Sequence, residues 1–120
     1  IDHPGKDSYR HRSAGAKEVL LASRNRYALM HELRGDEEPS LSELVDMLSP
    51  VDLVLVEGYK RDTHLKIEAH RRVTGQSLIA IDDPTIRAVA SDTPMTFDRA
   101  VFDLNNTASI ADFILAEVGL

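Results

Sequence analysis

No cysteine occurs among the 120 residues, which excludes a disulfide framework, a thiol nucleophile and any thiolate-held zinc or iron–sulfur centre. Long hydrophobic runs are missing too. No apolar run exceeds five residues, against the roughly 20 needed to cross a bilayer. No basic-then-apolar leader opens the sequence, so the expectation is a cytoplasmic protein with no membrane partner. Positive charge is in deficit. Fourteen Lys and Arg stand against 20 Asp and Glu, giving a net charge of −6 and a pI near 5.3. A phosphate backbone would repel such a chain unless its basic residues cluster, so no nucleic-acid partner is expected. The short group Arg10, Arg12 and Lys17 is interspersed with Ser and Ala and reads as a solvated face. Two further absences matter. Residue 1 is Ile and not Met, so the reading expects further chain upstream. No Gly-rich phosphate loop of the form GxxxxGK[ST] is present. "PGKDS" holds Gly5, Lys6 and Ser8, but Asp7 intervenes, the upstream glycine is missing and no strand precedes it.

What is there suits one packed domain, residues 1–120. The stretch "DSYRHRSAG" reads as a helix from Asp7, which can cap it or charge its first turn, to a stop at Gly15. "KEVLLAS" and "RYALMHEL" are β-like runs joined at Arg24-Asn25, a hairpin signal. In "SLSELVDMLSP", Ser40 precedes Glu43 by three residues and opens an amphipathic helix that ends near Pro50.

The run "DLVLVEGYK" sets four apolar residues, Leu53 to Val56, directly before an acid and a glycine. A strand buried on both faces has this signature, and ligands of open parallel sheets bind beyond the carboxyl ends of such strands. Glu57 would then hold a magnesium ion through water or orient a water near a phosphate. Its other reading is the first exposed residue after a core strand. Further on, "LKIEAHR" alternates, with Lys66, Glu68 and His70 on one face and Ile67 and Ala69 on the other. "SLIAI", "IRAVAS" and, more weakly, "RAVFDL" are strand candidates. Asp82 and Asp83 read as a turn or helix start before Pro84. A last helix begins near Thr107, capped by Asn106 or Thr107, with Ile110, Phe113, Ile114 and Val118 on one stripe. This mixture is α/β. His3, His11, His31, His64 and His70 lack a compact metal-ligand spacing, and Ser8 has no local histidine base.

"DHPGKDSYRHRSAGA", "RYALM", "VDLVLVEGYK", "KIE" and "IRAVASD", in that order and at those spacings, resemble the molybdopterin-guanine dinucleotide biosynthesis protein B family (MobB) over essentially the whole chain. The resemblance implies a P-loop NTPase-like three-layer fold with a mixed, mostly parallel sheet, here without its N-terminal βαβ portion. It implies GTP and Mg2+ binding with slow hydrolysis, a homodimer, and assistance to the guanylyltransferase that attaches GMP to molybdopterin. Carried over by position, Glu57 matches the Walker B-like acid, both catalytic and metal-holding, and Gly58, Tyr59 and Lys60 complete its motif. Asp7 and Ser8 match the PGKDS motif, on the rim of a nucleotide or pterin site. Ser91 and Asp92 fall where related GTPases recognise guanine; Asp92 otherwise reads as a turn residue before Pro94. Two functions are therefore expected in competition: a GTP-binding accessory enzyme, inactive as this chain alone, and a noncatalytic α/β module that docks a guanylyltransferase or binds a pterin phosphate.

Overall fold

The structure is a computed structural model describing residues 4–120. His3 lies outside the described residues. The chain divides into two compact units, one ending at Asp46 and the other Met47–Leu120.

The first unit is a helix, a hairpin and a short helix. In α1 (Asp7–Ser13) the cap position is Lys6 and makes no side-chain cap bond, so Asp7 acts through its charge in the first turn. Gly15, at φ +111°, carries the chain out of the helix through a conformation that side-chain-bearing residues avoid. Strands β1 (Glu18–Ala22) and β2 (Tyr27–His31) pair antiparallel, with Ala22 opposite Tyr27. The turn between them closes through the Ser23 amide and hydroxyl, both donating to the Arg26 carbonyl at 2.8 and 3.0 Å. Arg12 of α1 reaches Glu32 at 3.4 Å. In α2 (Leu41–Asp46) the Ser40 hydroxyl accepts from the Glu43 amide at 3.2 Å, as the capping pattern requires. The helix stops at Asp46 and not near Pro50. Met47 and Leu48 beyond it are exposed and would gain no burial from another turn, and the residue before a proline disfavours helix.

The second unit is built on a parallel sheet in the order β3 (Lys66–His70), β4 (Ile86–Ser91), β5 (Ala100–Asp103). The α/β expectation therefore holds, with a parallel three-stranded sheet at its centre. β4 is the middle strand and the most buried element. Its Ile86 and Val89 join Ala80 in the core, against which Leu78, Met95 and Phe97 pack. Helix α3 (Thr107–Glu117) is capped by Asn106, whose Oδ1 accepts from the Ser109 amide at 3.2 Å. Phe113 of α3 meets Phe102 of β5 with ring centroids 5.3 Å apart, and Arg87 of β4 meets Glu117 at 3.2 Å. Of the expected α3 stripe, Ile110, Phe113 and Ile114 are half-buried and Val118 is exposed.

Two expectations are corrected in this unit. Residues 53–56 form no strand, so Glu57 does not stand at a strand tip. A strand exists only where a neighbour completes its ladder. No backbone hydrogen bond joins residues 53–58 to another segment among the described residues, and Leu55 is left 76% exposed. "SLIAI" is a 3-10 turn at Ile79–Ile81 and not a strand. Its Ile79 and Ala80 amides donate to the Glu68 carboxylate at 2.9 and 2.8 Å, which satisfies them without a ladder. In β3, Ala69 is exposed while Lys66, Glu68 and His70 are half-buried. On that face Lys66 and Glu68 are bonded to polar partners.

Candidate functional site

In the second unit, a groove of about 540 Å³ is lined by two continuous stretches, residues 53–58 and 64–69, together with Lys60, Ile79, Ile86 and the α3 side chains Phe113 and Ile114. Its lining is mostly apolar. Of its carboxylates, Glu68 is committed to the Ile79 and Ala80 amides and Glu117 to Arg87. Glu57 makes no hydrogen bond or ion pair among the described residues and is exposed. Lys60, also unpaired there, lines the same groove.

The backbone between them is unusual. Gly58 at φ +83° and Tyr59 at φ +50° are consecutive left-handed residues. Such a φ costs a residue with a side chain roughly 1–2 kcal/mol, whereas glycine adopts it freely. The Asp62 amide donates to the Tyr59 carbonyl at 3.1 Å, closing the turn that follows. The loop thus reverses sharply just after the acid, as the Glu-Gly pair suggests.

The other expected site residues lie elsewhere. Asp7 is exposed in the first turn of α1 and Ser8 is buried, both in the first unit. Tyr59 is not among the residues lining the groove, and neither are Ser91 and Asp92. Ser91 ends β4 with its hydroxyl accepting from the Thr93 amide at 3.2 Å. Asp92 follows it. Its Oδ1 accepts from the Arg72 amide at 3.0 Å and so caps the 3-10 turn Arg72–Thr74. Its other oxygen has no hydrogen bond among the described residues.

A polar network reaches the groove through Lys66. The Lys66 ammonium donates to the Thr85 hydroxyl at 2.7 Å, to the His64 carbonyl at 3.0 Å and to the Asp62 carbonyl. Asp83 Oδ1 accepts from the Thr85 hydroxyl at 2.6 Å and its amide at 2.9 Å, the turn that Asp82-Asp83-Pro84 predicts. These bonds from Thr85, hydroxyl first, hold the Asp83 carboxyl below its usual 3.8; Lys66 and Arg99 add to the lowering and desolvation opposes it. Arg99 donates to the carbonyls of Ala80, Ile86 and Asp83 at 2.5, 2.6 and 3.0 Å, with its guanidinium 4.9 Å from the centre of the Phe97 ring. Nothing in the sequence marks Arg99, because its partners are backbone carbonyls brought close only by folding. Lys66 and Glu68 carry a visible signal, charges inside a strand, but alternation assigns such charges to solvent.

No group of three or more His, Asp or Glu that could hold a metal ion occurs among the described residues. Such a group is what an all-protein metal cage requires. One free carboxylate, Glu57, fits the smaller role that magnesium asks of proteins, one or two carboxylates with waters and phosphate oxygens completing its shell. Among the described residues no helix is long and apolar enough to cross a membrane.

Fold and groove define an α/β protein with a parallel sheet and one uncommitted acid beside an apolar cleft. Residues 1–92 match the family model described as Molybdopterin guanine dinucleotide synthesis protein B, MobB. The chain is 42% identical over 119 residues to the molybdopterin-guanine dinucleotide biosynthesis adapter protein of Escherichia coli (strain K12), covering 96% of this chain and 67% of that protein. It is 40% identical over 116 residues to the protein of the same name from Haemophilus influenzae (strain ATCC 51907 / DSM 11121 / KW20 / Rd), covering 95% of this chain and 64% of that one. The chain belongs to the MobB family. It spans about two thirds of the length of these curated relatives.

Proposed function

We propose that this chain is part of a cytoplasmic, homodimeric GTP-binding adapter of molybdenum cofactor biosynthesis. In this reading it assists a molybdopterin guanylyltransferase in attaching GMP to molybdopterin. Family membership carries the reading, and the local geometry supports it. Glu57 is an unpaired carboxylate lining an apolar groove, followed by two left-handed residues, Gly58 and Tyr59. Glu57 would hold Mg2+ there, and Lys60 would add a positive charge. A bound magnesium ion would supply charge neutralisation at the phosphate oxygens. Asp92, with one oxygen free, is the proposed acceptor for guanine N–H donors beside Ser91, and Asp7 and Ser8 serve the nucleotide or pterin rim.

The phosphate grip itself is assigned to a loop outside residues 1–120, since backbone N–H groups and a lysine of such a loop provide most of it. The proposed whole is a three-layer P-loop NTPase-like fold that includes an N-terminal βαβ unit. Calorimetric titration of the full-length protein with GTP and magnesium tests this: micromolar binding is expected, and none at all would overturn it. Residues 1–120 alone should bind weakly or not at all.

The second reading, a noncatalytic docking module, is favoured by one observation. The hairpin exposes Leu20, Tyr27 and Leu29 at 64%, 77% and 58%, a surface suited to a protein partner. Full-length protein that binds the guanylyltransferase but no nucleotide would select it.

A further inference from the structure

Residues 53–65 carry the unpaired Glu57 and Lys60, yet few bonds hold this stretch. Among the described residues its backbone makes one hydrogen bond within itself, from the Asp62 amide to the Tyr59 carbonyl at 3.1 Å, and no backbone bond to another segment. Every other hydrogen bond it receives there comes from a single atom. The Lys66 ammonium donates to the Asp62 carbonyl, and to the His64 carbonyl at 3.0 Å.

Lys66 is itself anchored. Its ammonium donates to the Thr85 hydroxyl at 2.7 Å, which donates in turn to Asp83 at 2.6 Å, and the Lys66 amide donates to the Thr85 carbonyl at 2.8 Å. The Lys66 side chain is only 9% exposed, with Asp83 Oδ2 at 3.9 Å. An ammonium has three N–H donors and no acceptor, so its donors are all committed and none is left for a ligand. This cation therefore ties the stretch after Glu57 to the turn that opens β4.

A second observation shows what the tie holds. Tyr59 keeps φ at +50° directly after Gly58 at +83°. A residue with a side chain persists in that region only where its surroundings over-determine it, and such residues gather at functional sites. Here the Asp62 amide holds the Tyr59 carbonyl, and the Lys66 ammonium holds the carbonyl of the same Asp62. Two bonds in series thus run from Lys66 to the backbone reversal that follows Glu57.

We propose that Lys66 is a positioning residue: its ammonium fixes the reversal at Gly58-Tyr59 and with it the place of Glu57 and Lys60 for magnesium and phosphate. The ligands rest on the nucleotide reading, whereas the clamp rests on the bonds from Lys66 alone. Lys66 acts through the loop and not on the ligand. An apolar side chain of similar length cannot replace it, because the Asp62 and His64 carbonyls would both lose their donor.

Two readouts on the full-length protein separate the clamp from the nucleotide reading. The first is brief trypsin digestion without nucleotide, comparing cuts after Lys60 and Arg61 with cuts after Arg71 and Arg72, which are exposed in the connection beyond β3. Lys66→Met should raise that ratio roughly 10-fold, since cleavage follows the population of the open loop. Thr85→Val, which removes one acceptor of the ammonium, should raise it less, and Thr85→Ser should restore it. A ratio unchanged in both Lys66→Met and Thr85→Val would overturn the proposal; should Lys66→Met fail to fold, the Thr85 pair decides alone.

The second readout is the magnesium concentration for half-maximal GTP turnover. It should rise roughly 10- to 100-fold in Lys66→Met, the range for groups that orient metal ligands. It should stay at the wild-type value in Asn106→Ala, which weakens the fold at the start of α3 instead. A requirement that does not move in Lys66→Met, or moves equally in both variants, would overturn the positioning role. Wild-type protein without magnesium-dependent turnover would sink the nucleotide reading, and the proteolysis would still decide the clamp.

Discussion

Glu68, in the middle of β3, accepts the backbone N–H of Ala80 at 2.8 Å. Its second oxygen takes the neighbouring Ile79 amide at 2.9 Å, so one carboxylate satisfies both donors at the start of a 3-10 turn. Each bond has a charged acceptor and is worth about 1.5–3 kcal/mol when its loss strands a partner. Glu68→Ala should lower the stability of the full-length protein by about 2 kcal/mol or more. Glu68→Gln, keeping one acceptor, should cost less. The midpoint of urea unfolding checks both.

Arg99 predicts a larger gap between two conservative changes. Its guanidinium spreads three bonds over the carbonyls of Ala80, Asp83 and Ile86, a fork that a single ammonium cannot reproduce. Arg99→Lys should therefore destabilise by about 2 kcal/mol despite retaining the charge. A thermal midpoint unchanged from wild type would show that the carbonyls find other donors.

Asp83 links the turn to pH. Its carboxyl is held below 3.8 in the folded chain, chiefly by the Thr85 hydroxyl and amide. A group depressed on folding contributes stability that is complete above its unfolded value and is lost as pH falls through the folded one. The loss therefore begins near 3.8 and continues below it. Asp83→Asn should flatten this acid limb while leaving the shape of the curve near neutrality unchanged, as read from urea midpoints across the acidic range.

Glu57→Gln in the full-length protein separates binding from turnover. The amide keeps the size of the side chain but cannot favour a divalent cation. Magnesium-dependent GTP turnover should fall roughly 10- to 100-fold, a magnitude taken from groups that support metal sites, while GTP affinity changes little. Equal losses in both would assign Glu57 to nucleotide binding and not to the ion.

Gly58→Ala tests the backbone alone. A Cβ at this position meets nothing within 4 Å, yet φ is +83°. The cost should be about 1 kcal/mol, from conformation and not from collision. A stable Ala variant would mean that the loop leaves the left-handed region.

Local patterns were legible where the chain satisfies itself. Ser40 with Glu43, Asn106 ahead of α3, the hairpin around Arg24-Asn25 and the Asp83 turn each pair residues a few positions apart, and all are present in the structure. Strand β4 was legible because "IRAVAS" is buried at nearly every position, whereas Glu57 stood out as an acid closing an apolar run that forms no strand.

What the sequence by itself determined, then, is the elements whose bonds close within a turn, the α/β class and the family motifs around Glu57. Tertiary structure alone decided which carboxylates are spent and which backbone is left open. Glu68 could be assigned to a 3-10 turn only once residues 79 and 80 were folded against it, and Asp92 to the Arg72 amide only once β4 lay beside β3. Residues 53–56 have the composition of a buried strand, but composition cannot supply a neighbour: a ladder needs partners on its edges, and those are set by what folds alongside.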